Sequence, residues 1–197
     1  WPVTGKSKSI DYNIAEIFAN RKWHSQVAVS LLASSAKYLI EKNHKFGHLR
    51  SGIKQPELDD FVTAVAVDTI QNEQPDVMAI HLVDLDSTRH GFGVKSPEAK
   101  AAIERMDAHL GQLFHAIETT PAYKEAHIVL LGDHYQIDTQ VVIRPNHLFK
   151  EAGLIQTKAQ NEIQDYKVYA KGADGSCYIY VKDHDAFTML QLKEILA

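Results

Sequence analysis

Two short segments combine an aspartate with a histidine, and both residue types bind divalent metal ions. Asp86 and His90 are four residues apart, and His134 directly follows Asp133. Carboxylate oxygen and neutral imidazole nitrogen are good ligands for zinc and acceptable ones for manganese. Two such ions about 4 Å apart suit phosphoryl chemistry, in which one activates the nucleophile and the other holds phosphate oxygens. On spacing alone, a structural role for both pairs as cap or loop residues stays open.

Each pair follows a short apolar run that the sequence predicts to be a buried strand. The runs cover 77–83 and 127–131, and their length and apolar character favour strands over helices. In open α/β sheets, ligands bind beyond the carboxyl ends of the strands. Both pairs are therefore expected at one edge of a sheet.

The loops that follow the two runs must bring each pair of side chains together. Asp86 and His90 are expected on a loop that curls toward one ion. Asp133 and His134 would point to opposite faces of a strand. They converge only if the strand has ended and the chain turns at Gly132, where the lack of a side chain permits the turn.

Helices and a third strand surround these segments. Ser96 and Pro97 form a helix start, with a capping hydroxyl and a proline in the first turn. The alternation of helices and strands predicts an α/β fold with a mostly parallel sheet. The chain is interpreted as one domain over 1–197. The other predicted elements are helices over 27–42, from Pro56 to Pro75, over 146–150 with Asn146 as cap, and after Asp185, and a strand over 176–181.

Composition excludes several classes of protein. The 197 residues are 45% hydrophobic and 23% charged, with a formal net charge of −4, so disorder and a basic nucleic-acid-binding surface are not expected. The longest apolar runs are far short of a membrane span. The single cysteine, Cys177, excludes an intrachain disulfide and is consistent with a reducing compartment, which favours a cytoplasmic location.

The segment Asp86-Ser-Thr-Arg-His90-Gly91-Phe-Gly93 resembles the D-x-x-x-H-x-x-G motif of the alkaline phosphatase superfamily, and within it the type I phosphodiesterase/nucleotide pyrophosphatase branch. Each motif alone is weak, but the ordered set covers nearly the whole chain. The other similar segments are Asp107 and Gly111 in a D-x-x-x-G helix, 131–134 as the second metal segment, Trp1-Pro2, and 145–155.

The resemblance implies a three-layer αβα sandwich and a metal-dependent hydrolase of small phosphoric esters. Asp86 and His90 would bind one ion, and Asp133 and His134 the other; the ions would be two zinc ions, with manganese as an alternative. A Thr or Ser nucleophile would form a covalent phospho-intermediate. In the family that nucleophile precedes the Trp-Pro segment, so the chain is expected to be the central part of a larger catalytic domain and inactive by itself.

Two further residues are candidates for substrate contacts. Arg89 lies beside the candidate ligands and is expected to contact phosphate; the alternative is a solvated loop charge. Tyr135 stands where the family usually has Gly, and it is expected to line the substrate pocket unless a positive φ strains it. Exposed sheet edges would favour association between copies of the chain.

Two alternative functions remain open at this point. A manganese-dependent phosphomutase of the same superfamily would share both Asp-His patterns. A non-catalytic α/β binding domain would use the same residues only structurally. A sulfatase is less favoured, because no nucleophile sequence of that type is present.

Overall fold

The computed structural model describes residues 9–15, 25–159, 162–173 and 175–196. The chain divides into two compact units, Trp1–Asp138 and Thr139–Ala197, each of which is described by itself below. The Trp1-Pro2 motif lies outside the described residues. The interpretation as a single domain stays a prediction.

The described part of the first unit is helical. The predicted helices after Pro56 and Ser96 are confirmed, and the Ser96 hydroxyl caps the second by accepting from the Ala99 amide at 3.0 Å. Buried side chains of these two helices pack together, among them Ile70 and Leu113. The helices are α1 (Gln26–Ala33), α2 (Ala36–Phe46), α3 (Glu57–Asn72), α4 (Asp84–Phe92) and α5 (Pro97–Thr119), with short 3-10 helices at Gly47–Leu49 and Pro121–Tyr123.

The prediction of a single helix over 27–42 is wrong, because the helix is interrupted at Ser34 and Ser35, between α1 and α2. The Ser34 hydroxyl accepts a hydrogen bond from the Ala15 amide at 3.0 Å, and the Ser35 hydroxyl accepts one from the Asn13 amide at 3.1 Å. These contacts come from a distant part of the sequence. Local periodicity therefore could not reveal the break.

The strands predicted over 77–83 and 127–131 are also wrong. Both segments are non-helical chain outside any sheet, and they are solvent-exposed, with Val77 at 88% and Val129 at 80% exposure. An apolar run becomes a buried strand only when other strands pair with it and helices cover it. Within the described residues, neither run has a strand partner.

The second unit combines helices with two antiparallel strand pairs. The strand predicted over 176–181 and the helix predicted after Asp185 are confirmed. The elements are α6 (Pro145–Glu151), β1 (Ile155–Thr157), β2 (Ile163–Tyr166), β3 (Val168–Ala173), β4 (Ser176–Val181), a 3-10 helix at Lys182–His184, and α7 (Ala186–Leu196). β1 pairs with β2, and β3 pairs with β4 in a register that places Val168 opposite Val181.

A small core holds the second unit together. Phe149 of α6 and Val168 of β3 are fully buried in it, next to Leu192 of α7. Asn146 lies inside α6 rather than at its cap, and its side-chain amide exchanges two hydrogen bonds with the backbone of Ala170. The predicted capping role of Asn146 is therefore wrong.

The chain is of the α/β class. Among the described residues all strand pairing is antiparallel, so the mostly parallel sheet stays a prediction. None of the described helices is long and apolar enough to cross a membrane.

Candidate metal site

Helix α4 presents the first predicted pair. Asp86 and His90 lie on a regular helix and not on the predicted loop. Residues four apart face the same side of a helix, and Asp86 Oδ1 lies 3.5 Å from His90 Nε2. The pair therefore converges through helical spacing alone.

A buried carboxylate of α3 holds the start of α4. Asp59 accepts hydrogen bonds from the backbone amides of Val83 and Asp84, each at 2.9 Å. These amides belong to the group of helix N-terminal donors that have no partner inside the helix. Asp59 thus caps α4 from a neighbouring helix and fixes its position on α3.

A second buried carboxylate ties α4 to α5. Asp84 accepts hydrogen bonds from the Thr88 hydroxyl at 3.1 Å and from Arg105 Nε at 2.7 Å. The hydrogen bond to Asp84 raises the pKa of the Arg105 guanidinium, which keeps its charge. Together with Asp59, this ion pair fixes the helix that carries the first candidate pair.

The second pair lies on the irregular segment 133–138. The His134 amide donates to Asp133 Oδ1 at 2.9 Å, and His134 Nε2 lies 3.6 Å from Asp133 Oδ2. Gly132 does not adopt a positive φ. The two side chains converge because Asp133 folds back over the following backbone, and no left-handed turn at Gly132 is needed.

The two pairs meet at Asp86. His134 Nε2 lies 3.9 Å from Asp86 Oδ1, and Gln136 Nε2 donates to the same oxygen at 2.9 Å. Farther along the segment, Asp138 Oδ1 accepts from the Val94 amide at 2.9 Å. Sequence reasoning missed Gln136, because nothing in the local pattern reveals a contact across 50 residues.

The donor atoms fit a divalent ion in pairs. Two donors bound at 2.0–2.1 Å to a tetrahedral zinc ion lie about 3.3 Å apart, close to the 3.5 Å between Asp86 and His90. Within the residues that the structure describes, no group of three or more His, Cys, Asp or Glu is placed to hold one ion. The side chains of the candidate ligands are 42–68% exposed, so each pair is open to further ligands from solvent.

Both candidate substrate residues lie beside the ligands. Arg89 is on α4, and its buried Nε makes no hydrogen bond with any described residue. Tyr135 is 73% exposed, and its φ is not positive, so the backbone strain considered for this position is absent.

An apolar groove of about 370 Å³ borders the site. Its walls include Leu85 and Gly132, the neighbours of Asp86 and Asp133, and side chains of α5 such as Met106 and Asp107. The groove places apolar surface next to the polar candidate ligands.

The described residues thus form an α/β chain in which two Asp-His pairs lie close together. The family model for type I phosphodiesterase / nucleotide pyrophosphatase matches residues 1–197, and the chain belongs to this family. Membership supports a phosphoester hydrolase role in general. No solved structure matches the chain.

Proposed function

We propose that the protein hydrolyses small phosphoric esters in the manner of a phosphodiesterase or nucleotide pyrophosphatase, with two divalent ions bound by its Asp-His pairs. Zinc is the favoured metal and manganese the alternative. The observation that carries the proposal is the approach of His134 to within 3.9 Å of Asp86. Two pairs that are more than 40 residues apart in the sequence thereby form one cluster.

Each residue of the cluster has a defined task in this proposal. Asp86 and His90 hold one ion, and Asp133 and His134 hold the other. The bound ions would stabilise negative charge on the phosphate oxygens. Arg89 would donate hydrogen bonds to a phosphate oxygen, because its planar guanidinium matches phosphate geometry.

The neighbouring surfaces suggest how the rest of the substrate binds. The exposed ring of Tyr135 and the apolar groove beside Gly132 would contact the organic part of the ester. The phospho-intermediate on a Thr or Ser hydroxyl and the three-layer αβα arrangement belong to the same proposal, and family membership supports both.

The test is hydrolysis of bis(p-nitrophenyl) phosphate by the whole natural protein. A chelator should abolish nitrophenol release, and added zinc or manganese should restore it. Asp86→Asn and Asp133→Asn should lose most of the activity, because each removes a charged ligand. Asp76→Asn, a matched change at an exposed position of the same unit, should keep it.

Three results would contradict the proposal. Nitrophenol release that persists after metal removal would exclude the ions from the reaction. Isomerisation of a sugar phosphate without phosphate release would favour a phosphomutase. Absence of any metal-dependent turnover would favour the non-catalytic binding domain.

A further inference from the structure

We propose that Gln136 is a positioning residue that orients Asp86 for metal binding and couples the two candidate ligand pairs. This inference rests on the proposed function, because it assigns Gln136 a task toward the proposed ion. Gln136 Nε2 donates to Asp86 Oδ1 at 2.9 Å. The contact joins the segment that carries Asp133 and His134 to the helix that carries Asp86.

The chemistry of the two groups fixes which end of the amide faces Asp86. An ionised carboxylate only accepts hydrogen bonds, so the amide must present its NH₂ group. The other end, Gln136 Oε1, is buried and accepts no hydrogen bond from any described residue. The bond to Asp86 is therefore the polar contact that holds the amide in place.

The hydrogen bond leaves Asp86 free to bind a metal ion. A carboxylate has about four lone-pair sites, and Gln136 occupies one of them. The carboxylate is thereby held in one orientation, with its remaining sites available. Hydrogen bonds to ligating carboxylates in metal sites have this function, and their loss reduces metal affinity about 10–100-fold.

Gln136 also lies where it can hold the second pair against the first. Asp138 fixes the far end of the segment 133–138 to the start of the α4–α5 connection, by accepting from the Val94 amide. Gln136 fixes the middle of the segment on Asp86 itself. His134, two residues before Gln136, is carried to 3.9 Å from Asp86 Oδ1.

The experiment is a cobalt(II) titration of the metal-free chain, followed by visible absorption, beside zinc titration by calorimetry. Gln136→Leu removes the donor and keeps similar bulk. Gln136→Asn keeps an amide but shortens the side chain by one methylene, and it serves as the second variant if the first does not fold. Gln112→Leu is the matched control, because Gln112 is exposed on α5.

Both Gln136 variants should bind cobalt and zinc about 10–100-fold more weakly than the wild type, with an altered cobalt absorption spectrum. Their thermal unfolding without metal and the behaviour of Gln112→Leu should match the wild type. Wild-type affinity and spectrum in the Gln136 variants would overturn the inference and leave the proposed function standing. Failure of the wild type to bind either metal would overturn both.

Discussion

Replacing Asp59 by alanine tests whether the candidate site depends on a capping carboxylate supplied by another helix. Asp59 is 1% exposed, and it accepts from the amides of Val83 and Asp84 and from Gln55 Nε2. The alanine variant leaves both amides at the start of α4 without their partner.

The expected loss of stability follows from the number of donors. An unsatisfied buried donor costs about 1–3 kcal/mol. The buried Asp84 amide therefore predicts a loss of about 1–3 kcal/mol, and the half-buried Val83 amide adds a smaller loss. The combined loss is a substantial part of the stability of a typical domain, which is about 5–15 kcal/mol. Glu57 is a matched control, because it lies in the same first helical turn of α3 as Asp59. Its loss removes only an interaction with the helix dipole, about 0.3–1 kcal/mol.

The assay combines urea unfolding with amide hydrogen exchange over residues 80–92. Asp59→Ala should lower the free energy of unfolding and accelerate exchange in this segment, and Glu57→Ala should do neither to a comparable degree. Equal free energies of unfolding for the two variants, with unchanged exchange over 80–92, would refute the capping role. Asp59 would then not be the residue that positions α4.

Three further substitutions test the ion pairs of Asp68 and the backbone conformation of two glycines. Burial pushes the pKa of Asp68 upward, but hydrogen bonds from Lys42 and Lys45 outweigh it and hold that pKa below its usual value. The stabilisation by Asp68 is therefore complete above the pKa of its unfolded state, near 3.8, and is lost as pH falls through the lower pKa of the folded state. In urea unfolding, Asp68→Asn should flatten the decrease of the free energy of unfolding at acid pH. An unchanged decrease would refute the assignment. In the second unit Gly153 has a φ of +73° with open space for a Cβ, so Gly153→Ala should cost about 1 kcal/mol. Gly111→Ala in helix α5, with equally open space, should raise the stability by about 0.5–1 kcal/mol. A change in thermal stability of the same sign in both glycine variants would contradict the backbone argument.

Local signals predicted the helices better than the strands. The capping serine at 96 and the carboxylate of Asp185 act on neighbouring amides, so the sequence around them suffices to place α5 and α7. The runs over 77–83 and 127–131 are different, because a strand requires hydrogen-bond partners that local sequence does not specify. The division between α1 and α2 likewise depends on hydrogen bonds of Ser34 and Ser35 with residues 19 to 24 positions earlier in the sequence.

The candidate site was predictable in its residue types and only partly in its geometry. The four-residue step from Asp86 to His90 fits a helix face as well as a curled loop, and the structure has the helix. The contributions of Asp59 and Gln136 depend on tertiary packing and have no local signature. The metal assignments of all four ligands stay a prediction.

Zinc titration of the metal-free chain by calorimetry tests the central claim most directly, with Asp86→Ala and Asp133→Ala beside the wild type. The wild-type chain should bind two ions and each variant one, because each aspartate serves a different ion. Two ions in both variants, or none in the wild type, would contradict the assignment of the two Asp-His pairs as metal ligands.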